Sequence, residues 1–384
     1  MKIAHVCQFY TPAIGGVKQV VEELAERQVK QGHEVHVYTS DWDKQKRIRK
    51  KEEVINGVYV HRCFNIARVA NFGVIWPSVF PKLVRNRFDI IHSHVFGHVH
   101  YVLAALAAKL TKAKHIHTTH CPWSDAYRSP VGRIGLFISY NIFSRLAAKL
   151  TDKFIAITPW EIEFIKKYGG REDKIIVIPN GMDKRIFKKI KKNTFRKKNG
   201  IPSKDKIVLF FGRLNPVKGP DHFVRIAKMI LKNRKKKDVT FVVRGPDEGM
   251  RVKVKRLIGN EKRIILMQET RDKKEIAEMY QAADVFVLPS YREGLPLTLF
   301  EAMAADLPVV AAPVNGVPYE MKEPENGFLI PYGKNKKYAE KITELLDKPK
   351  LRRKIAKNNL KKARNYKWDI ISEKTLNLYK SLLQ

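Results

Sequence analysis

Cysteine is scarce in this sequence: Cys7, Cys63 and Cys121 are the only three in 384 residues. They are odd in number and far apart, which excludes a disulfide framework and a cysteine metal cluster and points to a reducing compartment. Long apolar runs are also missing. The best, YVLAALAA at 101–108, falls short of the roughly 18 to 20 residues that span a bilayer. The chain opens on MKIAHVC, which reads as a strand from its second residue, so no secretory leader is expected. The third scarcity is negative charge: 38 Asp+Glu stand against 75 Lys+Arg, a net charge of +37. Solubility does not require so much, and the expected counterpart is polyanionic: nucleic acid, an anionic membrane face or phosphorylated ligands. High lysine content accompanies life at high temperature, but glutamate then rises too, so a thermophilic origin does not account for the imbalance.

What the chain does have is length for two domains and 44% hydrophobic residues to fill both cores. Short β-type runs alternate with helical ones throughout. The first half offers KIAHVCQ, EVHVYT, VYVHRCF, FDIIHSH, KHIHTTH, FIAIT and KIIVIPN; the second offers KIVLFFG, VTFVVRG, RIILMQ, VFVLPS, PVVAA and GFLI. The clearest helix runs over 16–32, with Val17, Val20, Val21, Leu24, Ala25 and Gln28 on one face, all but the last apolar. This alternation predicts an α/β fold of two Rossmann-like domains with parallel sheets. The expected boundaries are 1–182 for the first domain, 183–203 for a basic linker, 204–366 for the second domain, and a last helix over 367–384 that crosses back to the first. The G-x-G-x-x-G fingerprint of dinucleotide enzymes is absent: the first turn is TPAIGGV and the second domain's is FGRLNPVKG.

Two stretches carry chemistry. In FFGRLNPVKG, Arg213 emerges at a strand's carboxyl end, and Lys218 follows just before a helix beginning near Gly219. Open α/β sheets bind ligands at such ends, and two cations beside a helix amino terminus suit a diphosphate. A solvated loop with ordinary surface charges accounts equally well for the pair taken alone. In SYREGLPLTLFEAM, over 290–303, a helix is predicted to start near Pro296 or Leu297. The amides of Leu297, Thr298 and Leu299 then point outward unsatisfied and can hold a phosphate. Glu301, a turn further in, can accept two hydroxyl donors, as a ribose diol offers. Glu293, on the loop before Gly294, can reach a sugar's hydroxyls. Favourable placement against the helix dipole is the plain alternative for Glu301.

The ordered combination of G-R-L-x-x-x-K-G, E-G, E-A-M-A, PVVA and NGVPYEM resembles the retaining glycosyltransferases of family 4, which have the GT-B architecture of two Rossmann-like domains facing across a cleft. PAIGGV, IIHSH, TTH near 120 and PNGMD extend the resemblance over nearly the whole chain. It implies a nucleotide-sugar substrate, UDP- or GDP-linked, and no other cofactor. It places Arg213 and Lys218 on the donor diphosphate with the amides near Thr298, Glu301 on the ribose and Glu293 on the donor sugar. Gly16 would line the phosphate and acceptor side, and His120 would sit near the reacting sugar carbon. Arg244, Gly245 and Pro246 would face the cleft, and 267–269 would frame the base. His120, Arg213, Lys218 and Glu293 are the implied catalytic set, with no metal. Three positions depart from the family's pattern: Lys18 and Cys121, where acidic residues are common, and Asp306, where glycine is. They bear on acceptor contacts more than donor contacts.

Other signals are weaker. DWD at 41–43 is a D-x-D outside the expected place, and HSHVFGHVH, with His92, His94, His98 and His100, lacks a carboxylate or cysteine at metal spacing. KQKRIRKK at 44–51 and KNRKKK at 232–237 are basic runs that could dock on an anionic bilayer. RIGLFISYNIFSRLAAKL at 133–150 is an amphipathic candidate for lipid contact, although a core-facing helix is the plainer expectation. A cytoplasmic enzyme, peripheral on the membrane inner face if its acceptor is lipid-linked, is expected. A sugar-nucleotide 2-epimerase or glycan phosphorylase of the same architecture is the alternative. A nucleic-acid binder is a distant third, since the basic runs lack interleaved aromatics.

Overall fold

The computed structural model describes residues 1–13, 15–43, 46–69, 73–120, 130–182, 184–234 and 238–384. Cys121, Lys44 and Lys235–237 of the basic runs, and Ile14 of the first turn lie outside the described residues. The chain forms two compact units, Met1–Gly181 with Trp368–Gln384, and Met182–Lys367.

The first unit holds an eight-stranded sheet. From edge to edge its strands are Ile175–Val177, Lys153–Ala156, Lys114–Thr118, Ile90–His94, Lys2–Val6, Glu34–Ser40, Val58–Cys63 and Glu52–Ile55. All pairs are parallel except the last, an antiparallel hairpin. That hairpin turns on Asn56 and Gly57, with φ of 51° and 83°. Asn-Gly is the dipeptide that a two-residue turn of this hand favours. Period-2 alternation sorts side chains to the two faces. Ile3 and Ile90 pack under the helices Gly16–Lys30 and Trp368–Leu383, with Val20, Leu24, Ile371 and Leu376. Ala4, Val6 and Ile91 face the helices Val79–Asn86 and Val99–Thr111. The final helix is thus part of the first unit's core, with Trp368 1% exposed.

The second unit has a six-stranded, wholly parallel sheet. Its order is Ile264–Leu266, Val239–Arg244, Lys206–Phe211, Val285–Leu288, Val309–Ala311 and Gly327–Leu329. Residues 183–203, expected as a linker, instead belong to this unit. Their basic composition hides anchors: Ile186, Phe195 and Ile201 are buried, and Gln281 hydrogen-bonds the backbone of Ile186, Lys188 and Ile190.

The stretch over 133–150 departs from the core-facing expectation. It folds as Pro130–Ile138, a π-helical turn Ser139–Ser144, and Arg145–Leu150. Tyr140, Ala147 and Ala148 point inward, while Ile134 (62% exposed), Phe137 (67%), Phe143 (50%) and Leu146 (54%) face out. Among the described residues no helix is long and apolar enough to cross a membrane.

His5, His92, His94, His100, His115 and His117 are all buried in the first unit. Burial lowers each: His5 and His100 to about 4, His115 to about 3, and His92, His94 and His117 well below the usual imidazole value. The folded rings therefore stay neutral where an unfolded chain takes up protons, near pH 6.5. Stability is full above that value and falls as pH drops from about 6.5 towards 4, by about 1.4 kcal/mol per pH unit for each such ring. Urea unfolding followed at pH 7.5, 6.5 and 5.5 is expected to show a midpoint that falls modestly between the first two and much more steeply between the second and third. A midpoint unchanged at pH 5.5 contradicts this account.

Candidate functional site

Both sheets reverse strand order next to a central strand, and such switch points open a crevice at the strands' carboxyl ends. In the second unit the switch lies between Lys206–Phe211 and Val285–Leu288. The chain leaving the first strand passes Gly212 and Arg213, then a short 3-10 turn, Pro216–Lys218, whose start is capped by Asn215 Oδ1 accepting from the Lys218 amide at 3.0 Å. Gly219 follows at φ 68°, and a Cβ there would stand 2.3 Å from the Pro289 carbonyl oxygen. Gly245, after Val239–Arg244, is still tighter: a Cβ would lie 1.8 Å from the Gly212 carbonyl oxygen. These glycines let three strand ends converge.

The convergence brings predicted residues together in a way their spacing did not reveal. Lys218 Nζ lies 2.6 and 2.5 Å from the two Glu293 carboxylate oxygens, and Ser290 Oγ donates to Oε1 at 2.7 Å. Glu293 is 4% exposed, so this is a buried pair, with the Asn315 amide also donating to the Glu293 carbonyl. Arg213 is more open and donates to Glu248 Oε2 at 3.0 Å and Oε1 at 3.2 Å. Arg244 is buried: Nε donates to the Gln268 carbonyl at 2.8 Å and Nη2 pairs with Glu275 at 2.9 Å. Its Nη1 is buried without a partner among the described residues. A buried donor left unmade is costly, so this nitrogen is a natural point for a ligand's acceptor. Met267 is buried beside it, and its carbonyl accepts from Arg251.

The helix of the glutamate motif spans Leu297–Ala304 behind Pro296. One expectation for its amides needs correction: the Leu299 N–H already donates to the Pro296 carbonyl at 3.0 Å, closing the first turn. Only Leu297 and Thr298 of the three remain as amide candidates for an anion. Glu301 Oε2 accepts from the Tyr280 hydroxyl at 2.8 Å, which fixes its carboxylate against a buried ring. Gly294 accepts from the Gly316 amide at 3.3 Å. Asp306 closes the helix at φ 63°, in the left-handed region, which gives the physical reason a glycine suits that position. Glu248, Ser290, Tyr280 and Asn315 went unread in the sequence, because none sits in a spacing that marks it.

In the first unit, Gly16 opens the Gly16–Lys30 helix, and Lys18 pairs with Glu22 at 2.6 Å. His120 follows the strand Lys114–Thr118 with φ 45°, a strained conformation for a non-glycine residue of the kind concentrated at functional sites. It is not alone. His94 Nδ1 is 3.2 Å from His120 Nε2, His94 Nε2 is 3.0 Å from His5 Nδ1, and His5 Nε2 is 2.8 Å from Gln28 Oε1. His92, on the same sheet face, meets the Tyr379 hydroxyl through Nδ1 and Thr118 Oγ1 through Nε2 at 2.7 Å. His5, His92 and His94 lie close enough for a metal ion to be considered, with ligand atoms within 4.8 Å of one another. Both nitrogens of all three rings are engaged in hydrogen bonds, which accounts for them without an ion. His98 and His100 stand apart from this group, and His100 bonds the His94 carbonyl. Asp41 of the D-x-D is buried against Arg47 at 2.6 Å and Lys51 at 2.5 Å, so its carboxylate serves a salt-bridge cluster that draws in two members of the first basic run.

Residues 191–362 match the family described as glycosyl transferases group 1, and residues 14–185 match glycosyltransferase family 4. The D-inositol 3-phosphate glycosyltransferase of Corynebacterium diphtheriae is 29% identical over 314 residues, 78% of this chain and 72% of that protein. The UDP-Gal:alpha-D-GlcNAc-diphosphoundecaprenol alpha-1,3-galactosyltransferase of Escherichia coli is 31% identical over 275 residues, 70% of this chain and 68% of that protein. Among solved structures, sucrose-phosphate synthase from Thermosynechococcus elongatus has a TM-score of 0.78 at 21% identity, covering 99% of this chain and 98% of that one. HepE of Anabaena, solved in complex with UDP, has a TM-score of 0.79 at 20% identity, covering 99% and 100%. The structural likenesses bear on the fold, and the sequence likenesses on descent. Together with the two Rossmann-like units they lead to one conclusion: the chain belongs to family 4 of the glycosyltransferases and has the GT-B architecture.

Proposed function

We propose that this glycosyltransferase moves a sugar from a nucleoside-diphosphate donor, UDP- or GDP-linked, to a hydroxyl acceptor at an anionic membrane surface, with retention of configuration and without a metal. The observation that carries the donor reading is the gathering of Arg213, Lys218, Glu293 and the Leu297–Ala304 helix start at adjacent parallel strand ends. Breaking the bond between the anomeric carbon and the diphosphate oxygen leaves the electron pair on that oxygen and positive character on the sugar. Arg213 and Lys218 answer the first charge, which is the role a metal ion takes in other sugar transfer. Glu293, held by Lys218 and Ser290, turns toward the second. Glu301 takes the ribose diol with the oxygens that Tyr280 orients. In the proposed same-face step the acceptor hydroxyl bonds to the anomeric carbon and its proton passes to the departing phosphate oxygen.

Two observations support a membrane-borne acceptor. The outward apolar face of Ile134, Phe137, Phe143 and Leu146 is flanked by exposed Arg145, Lys149 and Lys167, the pairing that an anionic lipid surface complements. The E. coli relative is named for an acceptor on diphosphoundecaprenol, a lipid carrier.

Replacing Glu301 with Ala is expected to weaken binding of a nucleoside diphosphate about tenfold while leaving inorganic pyrophosphate binding unchanged; equal affinity for the nucleotide would refute the ribose assignment. Lys218→Ala is expected to slow kcat by on the order of 10²–10³-fold. It also strands the buried Glu293 carboxylate, at a cost of about 3–5 kcal/mol in stability. Adding Glu293→Gln should recover melting temperature but not turnover, which separates the two effects. Product analysis distinguishes transfer from epimerisation and phosphorolysis. Phe137→Ser with Phe143→Ser should abolish cosedimentation with anionic vesicles at low salt while leaving the melting temperature in place. An unaltered protein that stays in the supernatant under those conditions would remove the membrane reading.

A further inference from the structure

Gln28 is fully buried on the face of the Gly16–Lys30 helix that otherwise presents Val20, Val21, Leu24 and Ala25 to the sheet. A polar side chain there needs a reason, since burying an amide without partners is unfavourable. Its oxygen ends a line of three imidazoles: Gln28 Oε1 to His5 Nε2 at 2.8 Å, His5 Nδ1 to His94 Nε2 at 3.0 Å, and His94 Nδ1 to His120 Nε2 at 3.2 Å. Three strand ends supply the rings. His5 lies on Lys2–Val6, His94 closes Ile90–His94, and His120 follows Lys114–Thr118.

With the Gln28 amide oxygen turned to His5, the hydrogen count along this line has one solution. A neutral imidazole carries one N–H and one lone pair, and an amide oxygen only accepts. Burial keeps all three rings neutral, lowering His5 to about 4, His120 to about 3 and His94 well below its usual value. His5 must therefore carry its proton on Nε2 to donate to Gln28, which leaves Nδ1 to accept from His94 Nε2–H. His94 Nδ1 in turn accepts from His120 Nε2–H. The last ring is left with a bare lone pair on Nδ1. The Gln28 amide nitrogen is buried without a partner among the described residues, and the amide oxygen is the atom at hydrogen-bonding distance from His5.

We propose that Gln28, through His5 and His94, sets the tautomer of His120, so that His120 Nδ1 meets the substrate as a hydrogen-bond acceptor for a sugar hydroxyl. Gln28, His5 and His94 are positioning residues in this scheme and touch no substrate. The inference rests on the expectation, drawn from the family resemblance, that His120 contacts the substrate.

The test uses the full-length chain labelled with ¹⁵N in histidine. Ring nitrogen shifts report each tautomer directly, and the His120→Ala spectrum assigns the His120 signals. In the unaltered protein His120 is expected as the Nε2–H form. Gln28→Met, close in volume but lacking the acceptor, should convert the His120 signal to a mixture of tautomers and lower kcat about tenfold with the donor KM unchanged. Gln28→Glu keeps an acceptor at the same place and should restore both the Nε2–H signal and most of kcat. A folded Gln28→Met protein whose His120 remains wholly Nε2–H overturns the relay. So does a His120 that is Nδ1–H in the unaltered chain. Turnover unchanged in His120→Ala overturns instead the reading on which the relay depends, so the two failures are told apart.

Discussion

Parallel strand pairing is the constraint from which the chemistry follows. In both principal sheets every neighbouring pair runs parallel, apart from one edge hairpin. Parallel strands send all their carboxyl ends to one rim, so residues distant in sequence, such as Lys218 and Glu293, arrive at the same place. The rim must then be crowded without clashing, and that requirement falls on backbone. Gly245 and Gly219 each occupy a spot where a single added carbon would overlap a neighbouring carbonyl. The geometry of this rim thus depends on atoms that are missing as much as on side chains that are present.

Charge acts on two scales. Within the candidate site each of three cations already has a carboxylate: Arg213 has Glu248, Lys218 has Glu293, and Arg244 has Glu275. The site is locally balanced, which holds the cations in place before any ligand arrives and lowers the reorganisation needed to receive one. Asp41 draws Arg47 and Lys51 inward in the same way. The surplus of +37 is a property of the whole chain, and Arg145, Lys149 and Lys167 are among its exposed members. A charge excess of this kind bears on what the whole protein approaches, and an exposed apolar stripe with basic flanks gives that excess a direction.

The alternation of strands and helices was legible in the sequence because each strand is a short apolar run bounded by turn residues, and buried parallel strands have that character. The strand Glu52–Ile55 was not read: with Glu52, Glu53 and a largely exposed Val54 it lacks an apolar run. Asn56–Gly57 beside it was the available signal. Residues 183–203 misled because lysine dominates the composition while Ile186 and Phe195 do the packing. The segment over 133–150 misled in the opposite sense: Tyr140, Ala147 and Ala148 pack inward, but Ile134, Phe137, Phe143 and Leu146 face out. Of the proposed donor-site residues, Arg213, Lys218, Glu293 and Glu301 were visible from strand ends and a helix start. Their partners Glu248, Tyr280 and Ser290 were not, since a partner is chosen by tertiary approach and not by spacing. Leu299 was misjudged for a local reason: the first turn closes with an i→i+3 bond from its amide to the Pro296 carbonyl, which the sequence does not show.

The histidines show how far packing and function can be separated on geometry alone. Successive positions on one strand point to opposite faces, so Ser93 and His94 enter different networks. On one face, Ser93 Oγ meets His115 Nε2 at 2.9 Å and His117 Nδ1 at 2.8 Å, and His115 continues to Thr151. Thr151 Oγ1 donates to the Ala147 carbonyl, so His115 Nδ1–H donates to Thr151, Ser93 O–H to His115 and His117 Nδ1–H to Ser93; this network ends inside the core with His117 Nε2 lacking a partner among the described residues. On the other face, the line begins at an amide oxygen that only accepts, contains only neutral imidazoles, and ends at a strained residue on the strand rim. Packing alone asks for volume and satisfied atoms, which the first network nearly supplies. What sets the second line apart is where it stops, at a residue with φ 45° on the strand rim, and that position is what makes the proposed delivery of a lone pair by His120 possible.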